Sequence, residues 1–260
     1  MNPPQPTERP WRIYSLRVAV LVVLVLAWEW AVHEDARRIF FFGSPTRIAA
    51  TLWERIRDGS LTRDFSVTAS EAICGFLLGN VVGTTIGLSL WRFPLTFHVS
   101  RPFIVGLGAA PVFALAPMVI IWFGTGFFSK VMIAAASTVF VALAQAHAGA
   151  ASVDPRYLRL MESMKATRAQ TFRKVIAPSA LVWVMAAFRM NVGFALLGAF
   201  IGEFISSERG LGHLILVASG LFDTPVVLAG VFALAVLALL MTIAVTRIEQ
   251  PLRRLIVRIF

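Results

Sequence analysis

The stretch RLMESMKATRAQTFRKVIAP, Arg159–Pro178, interrupts two long apolar runs and carries five Arg or Lys residues. Its Leu, Met, Phe, Val and Ile residues return at helical spacing among those charges. Such a pattern predicts helix with one face on an apolar body and the other in water. The flanking runs, 127–148 and 178–204, each exceed the roughly 18 residues that cross a hydrocarbon layer of about 30 Å. The quoted stretch therefore reads as a structured loop between two membrane spans.

The same criterion marks four further spans, at 16–32, 65–90, 102–123 and 225–246. The composition agrees: 58% of residues are hydrophobic, only 15% are charged, and the mean hydropathy is +0.77. One soluble core cannot bury that apolar surplus. The expected fold is all-α, a polytopic membrane protein of six transmembrane helices.

Charge placement sets the expected orientation. Of the 24 Lys and Arg residues, 15 lie in the N-terminal tail, the loop at 92–101, the loop before Pro178 and the C-terminal tail. Eight lie on the other side, and Arg189 falls within a span. Positive loops face the cytoplasm, so both termini and the quoted loop are expected there. The division is a cytoplasmic tail 1–15, a transmembrane domain 16–248 containing the loop 154–176, and a cytoplasmic tail 249–260. Because topology accounts for most of the net charge of +10, nucleic-acid binding is not expected.

The first run has the Arg-bearing lead of a signal peptide but lacks a small-x-small cleavage pattern before VHEDARR. Trp28 and Trp30 suit an interfacial belt, so the run is expected to be kept as a span. On the opposite side, SPTRIAATLWERIRDGSL predicts a surface helix opened by Ser44-Pro45 and closed by Asp58-Gly59. It is expected at the membrane surface or packed on the bundle.

Gly75, Gly79, Gly83 and Gly87 recur every four residues and form one stripe of the second span, where a neighbouring helix can approach closely. Pro111 and Pro117 interrupt the third span, as a kink or as a broken helix lining a wet path. Glu71, Arg189 and Glu203 are costly in hydrocarbon and must face protein or water, with structural roles favoured for the last two. Arg189 and Glu203 are fourteen residues apart, about 21 Å along a helix, too far to pair. The single Cys74 excludes an internal disulfide and thiol-cluster metal sites. The four His residues have no metal-site spacing, and no GxSxG elbow occurs. The three Lys residues follow Ser129, Met164 and Arg173, never the Gly that a phosphate loop needs. The chain is expected to be no enzyme, with no cofactor or metal of its own.

From Pro155 to Glu203 the chain resembles permease subunits of ABC importers of the nitrate, sulfonate and taurine group. Their EAA-type loop runs Glu-Ala-Ala, a Gly six residues after the Glu, and a Pro thirteen after the Gly. Counting back from Pro178 puts Lys165 at the Gly position and Arg159 at the Glu position. TRAQTFRKVIAP, FRMNVGFALLGAFIGEFISSERGLGHLI, APVFALAPMVIIWFGTG and GSPTRIAATLWERI are similar to other family segments.

The resemblance implies a transmembrane subunit of an ATP-driven importer in a bacterial cytoplasmic (inner) membrane. Its implied partners are a cytoplasmic ABC ATPase dimer holding ATP and Mg, a second permease copy, an extracytoplasmic solute-binding protein and membrane lipids. ATPase coupling falls to the loop 154–176, with Arg159, Glu162, Lys165, Ala166, Thr167 and Arg168 as the contact residues. The translocation path is expected near Pro111, Pro117, Met118, Asn191 and Glu203. The two departures predict altered docking, and a strained turn if position 165 has positive φ. Rival readings are a non-transporting scaffold and a transporter driven by an ion gradient.

Overall fold

A computed structural model describes residues 10–33 and 35–259. The described residues form helices and turns with no strand. Five helices are long and apolar enough to cross a membrane: α1 (Pro10–His33), α4 (Ser60–Trp91), α7 (Phe127–Ala151), α10 (Ala177–Ile205) and α12 (Thr224–Ile259). Between α1 and α4 lie α2 (Ala36–Phe42) and α3 (Pro45–Arg57). A sixth crossing is split into α5 (Pro94–Ala109) and α6 (Val112–Phe123), bent by 92°. The loop holds α8 (Pro155–Ser163), α9 (Arg168–Thr171) and a π-turn at Phe172–Ile176, while α11 (Leu211–Gly220) precedes α12. Below, the bundle end that carries α8 is the loop end, and the opposite end is the far end.

Small residues set the centre. The stripe Gly75, Gly79, Gly83, Gly87 meets Ala134, Thr138, Ala142 and Ala146, also four apart, so α4 and α7 run parallel in register. A Cβ on any of the four glycines would overlap α7. On its other side α7 meets α10 antiparallel: Gly198 sits on Ala134 and Ser137, and Gly149 on Ala180 and Trp183. Close backbone approach supplies the dispersion contact that drives helix association in lipid, where the hydrophobic effect is absent. Leu237, Met241 and Val245 of α12 close the core over Ala72, Phe76 and Ala199.

The third crossing is not a continuous helix over 102–123. It begins at Pro94 and breaks at Ala110–Pro111, where both residues are extended (φ/ψ −63/132 and −67/112). Pro111 disfavours helical backbone at Ala110 and has no N–H to donate. Pro117 is accommodated inside α6. The segment expected as a surface helix is α3, capped by the Ser44 hydroxyl, which accepts from Arg47 N–H at 3.3 Å. It rests on α12 and α4. Glu29, inside the first span, binds the start of α3: its carboxylate accepts from the Thr46 N–H at 3.0 Å and hydroxyl at 2.9 Å.

Helix continues to Ile259, so the expected tail at 249–260 is helical and continuous with α12 as far as that residue. Helix also begins at Pro10, within the expected tail 1–15, whose first nine residues lie outside the described ones.

Candidate functional site

At the loop end, Asp154 caps α8: its Oδ1 accepts from Arg156 N–H at 2.8 Å, and its Oδ2 from the Arg156 guanidinium at 2.7 and 2.9 Å. The guanidinium and that N–H hold the Asp154 carboxyl below its usual range. The cap thus persists above the ordinary Asp range and is lost only as pH falls through the lowered value. Leu158 and Met161 pack against Val153, Val175, Ile176 and Ala180. The opposite row, Tyr157, Leu160 and Met164, is 52%, 54% and 69% exposed. An apolar row of i, i+3, i+7 spacing on a short helix is a groove-docking pattern.

Lys165 ends α8 with φ 51°, a left-handed backbone. Ala166 N–H donates to Met161 O and Lys165 N–H to Glu162 O, both at 2.9 Å. These two bonds make a Schellman turn, whose left-handed position favours glycine. Lys165→Gly is expected to relieve about 1 kcal/mol of backbone cost, measurable as slower proteolysis of the loop with the fold unchanged. Directly after the turn, Thr167 and Gln170 form a reciprocal cap: Gln170 N–H donates to Thr167 Oγ1 at 3.3 Å and Thr167 N–H to Gln170 Oε1 at 2.7 Å. Ala166 is half-buried, and Arg159, Glu162, Lys165, Thr167 and Arg168 are exposed. The six expected contact residues thus lie on one elbow.

The five expected path residues do not come together. Pro111, Pro117 and Met118 lie exposed along the α5–α6 elbow. Asn191 is fully buried in the core, donating from Nδ2 to Asn80 Oδ1 at 2.7 Å and to Thr138 O at 3.1 Å. Glu203 is fully buried at the far end. Its Oε1 accepts from Thr68 Oγ1 and its Oε2 from Gly212 N–H, both at 2.6 Å. Gly210 N–H donates to Asp64 Oδ1 at 3.0 Å and Leu211 N–H to Thr68 Oγ1 at 2.8 Å. Three successive donors at the start of α11 are thereby satisfied by side chains of α4 and α10. Arg189 pairs with Glu249 of α12 at 3.1 Å.

Residues 75–254 match the family model described as the binding-protein-dependent transport system inner membrane component. The chain belongs to that family. This permease is 32% identical over 248 residues to the riboflavin transport system permease protein RibX of Chloroflexus aurantiacus, covering 95% of this chain and 91% of the relative. It is 31% identical over 246 residues to the formylaminopyrimidine transport permease protein ThiX of Halalkalibacterium halodurans, covering 93% and 96%. In fold the permease is similar to the MetNI methionine ABC transporter in inward-facing conformations, with a TM-score of 0.67 at 16% identity, over 75% of this chain and 97% of that one. The permease is thus an integral membrane subunit of an ABC importer of the taurine and sulfonate type.

Several residues of the permease that stand out in the structure escaped the sequence reading. Tyr157, Leu160 and Met164 have the right spacing, but the sequence does not say which apolar row of α8 faces the bundle. Lys130 and Glu71 are 1% and 2% exposed near Glu203. Only the intramembrane position of Glu71 gave a local sign of that cluster. Phe222 adopts φ 56° at the end of α11, a left-handed turn at a non-glycine that no motif announces.

Proposed function

We propose that the permease forms the translocation path as one of two identical copies. A separate pair of cytoplasmic ATPase subunits drives it through the loop 154–176. In this reading the loop end faces the cytoplasm and the far end receives solute from a binding protein. The observation that carries it is the uncovered apolar row Tyr157, Leu160, Met164 on a helix held rigid at both ends. A surface helix with nothing to bind would not gain from exposing that row, whereas a cleft in an ATPase buries it. Arg156 and Arg159 flank the row and suit an acidic rim.

The second copy is supported by the α5–α6 elbow. Pro111, Pro117 and Met118 are uncovered by this chain, and backbone freed by proline must find protein or water within a membrane. A closed twofold arrangement meets that need. The relatives named for riboflavin and formylaminopyrimidine support a small organic solute, and the family's description as binding-protein-dependent supports delivery by a separate protein.

Co-purification tests the docking. Leu160→Asp is expected to cut ATPase retention by the tagged permease about tenfold or more, since one buried anchor carries that much affinity. The Arg159→Glu, Lys165→Gly double variant is expected to reduce retention severalfold through the rim. Retention undiminished in both overturns docking at this loop. ATP-free uptake driven by a proton or sodium gradient in proteoliposomes overturns the importer mechanism itself.

A further inference from the structure

A cavity of about 480 Å³ opens at the loop end, between the last turns of α4 and the start of the helix at Arg168. Its volume falls in the range of roughly 300–1,000 Å³ that small-molecule sites occupy. Arg92 lines it from the α4 side and Arg168 from the loop, and Leu88, Trp91, Phe93 and Phe172 supply apolar wall. No Asp or Glu is among the described residues that line it.

Neither guanidinium is neutralised by the described residues. Their ion pairs are Arg38–Asp35, Arg156–Asp154 and Arg189–Glu249, none of them at this cavity. Two like charges lining one cavity without a carboxylate repel each other, and a bound anion removes that cost. The position of the cavity narrows the source of the anion. Trp91 and Arg92 end an apolar helix of 32 residues, and Trp and Arg together at the end of a span mark the headgroup band. Phospholipid phosphates occupy that band, and basic pockets between helices there hold anionic headgroups. Leu88, Trp91 and Phe172 also pack on the apolar cluster behind the loop, so the fold itself sets the wall.

We propose that this cavity binds an anionic phospholipid, with Arg92 and Arg168 on the phosphate ester and the aromatic wall along the upper acyl chain. Guanidinium groups suit a phosphate because their planar forks donate paired, charge-assisted hydrogen bonds. A zwitterionic headgroup is disfavoured, since its ammonium would meet two guanidiniums with no carboxylate in the lining to receive it. The assignment gives Arg168, expected above as an ATPase contact, a partner in the membrane instead. One lipid held in this way bridges the end of α4 to the elbow of the loop.

The test is native mass spectrometry of the full chain released from detergent micelles. The probes are phosphatidylglycerol, phosphatidylcholine, and glycerol phosphate, which carries the phosphate ester without acyl chains. Phosphatidylglycerol is expected to bind about tenfold or more tightly than either of the others. The double change Arg92→Gln, Arg168→Gln should weaken it about tenfold or more, because both charge-assisted contacts are lost. Arg173→Gln, at an exposed position of the same loop outside the cavity, should change it less than about twofold. Equal binding of phosphatidylcholine, or a folded double variant that holds phosphatidylglycerol as the parent does, overturns the site. Equal binding of glycerol phosphate overturns the lipid as its source and leaves a soluble phosphate ester in its place. Should the double variant not fold, the contrast between the two lipids on the parent chain still decides. Displacement of phosphatidylglycerol by co-purified ATPase assigns the arginines to that partner and also overturns the site. Lipid retained on a chain whose ATPase docking fails leaves the site standing, and the reverse removes the site alone.

Discussion

Gly79→Leu should leave almost no folded chain. Gly79 faces Thr138 and Ala135 so closely that even a methyl group would overlap α7. The obstructing atoms include the Ala135 carbonyl, which cannot rotate away as a side chain could. Leucine would force α4 and α7 apart along their whole register, and Gly75, Gly83 and Gly87 would lose contact with it. Overpacking of a tight core costs about 1–3 kcal/mol at a forgiving site, and this site has no room to forgive. Size-exclusion chromatography of the fluorescently tagged chain should show aggregate in place of a monodisperse peak. Gly106→Leu is the matched comparison, because Gly106 has nothing within 4 Å of a built Cβ. Equal behaviour of the two variants would show that the glycine stripe does not set the α4–α7 contact.

Glu203→Ala should have the second largest effect. The carboxylate ties α11 to α4 through Gly212 and Thr68, and Gly210 and Gly212 pack directly against it. Its removal strands a buried N–H and withdraws negative charge from the neighbourhood of Lys130. Losing one member of a buried charged set costs about 3–5 kcal/mol. Glu203→Gln keeps the shape and one acceptor, so its expected cost is smaller, about 1–3 kcal/mol. Limited proteolysis should cut Glu203→Ala at 206–212 long before the parent chain, with Glu203→Gln between them. Cleavage at the parent rate would remove the latch from the account.

The membrane class of the fold was legible because hydrocarbon imposes long apolar runs, and five of the spans stand out by length alone. The Gly75–Gly87 stripe was legible for a related reason: only small residues permit close approach, and four-residue spacing keeps them on one face. Its partner row, Ala134, Thr138, Ala142 and Ala146, has the same spacing, but alanine is too common in an apolar helix to attract notice. Pro111 indicated a break without its angle, since whether such a chain bends slightly or by 92° depends on neighbours. The far-end cluster was least legible. Thr68 and Glu203 are 135 residues apart, and a contact at that separation leaves no local pattern. Lys165 shows the opposite case: the family comparison marked the position, and its backbone angle followed from what a Gly there would do.

The helix that starts at Arg168 runs without interruption to Ile205, 38 residues, or roughly 57 Å at about 1.5 Å per residue. One tip is fixed by the Thr167–Gln170 cap, and the other carries Glu203. The chain therefore has a connecting rod: a pull on the elbow at Thr167 and a shift of the turn at Gly210–Gly212 are one displacement at two places. The π-turn at Phe172–Ile176 is the rod's wrist, where the winding differs and twist can be taken up or released.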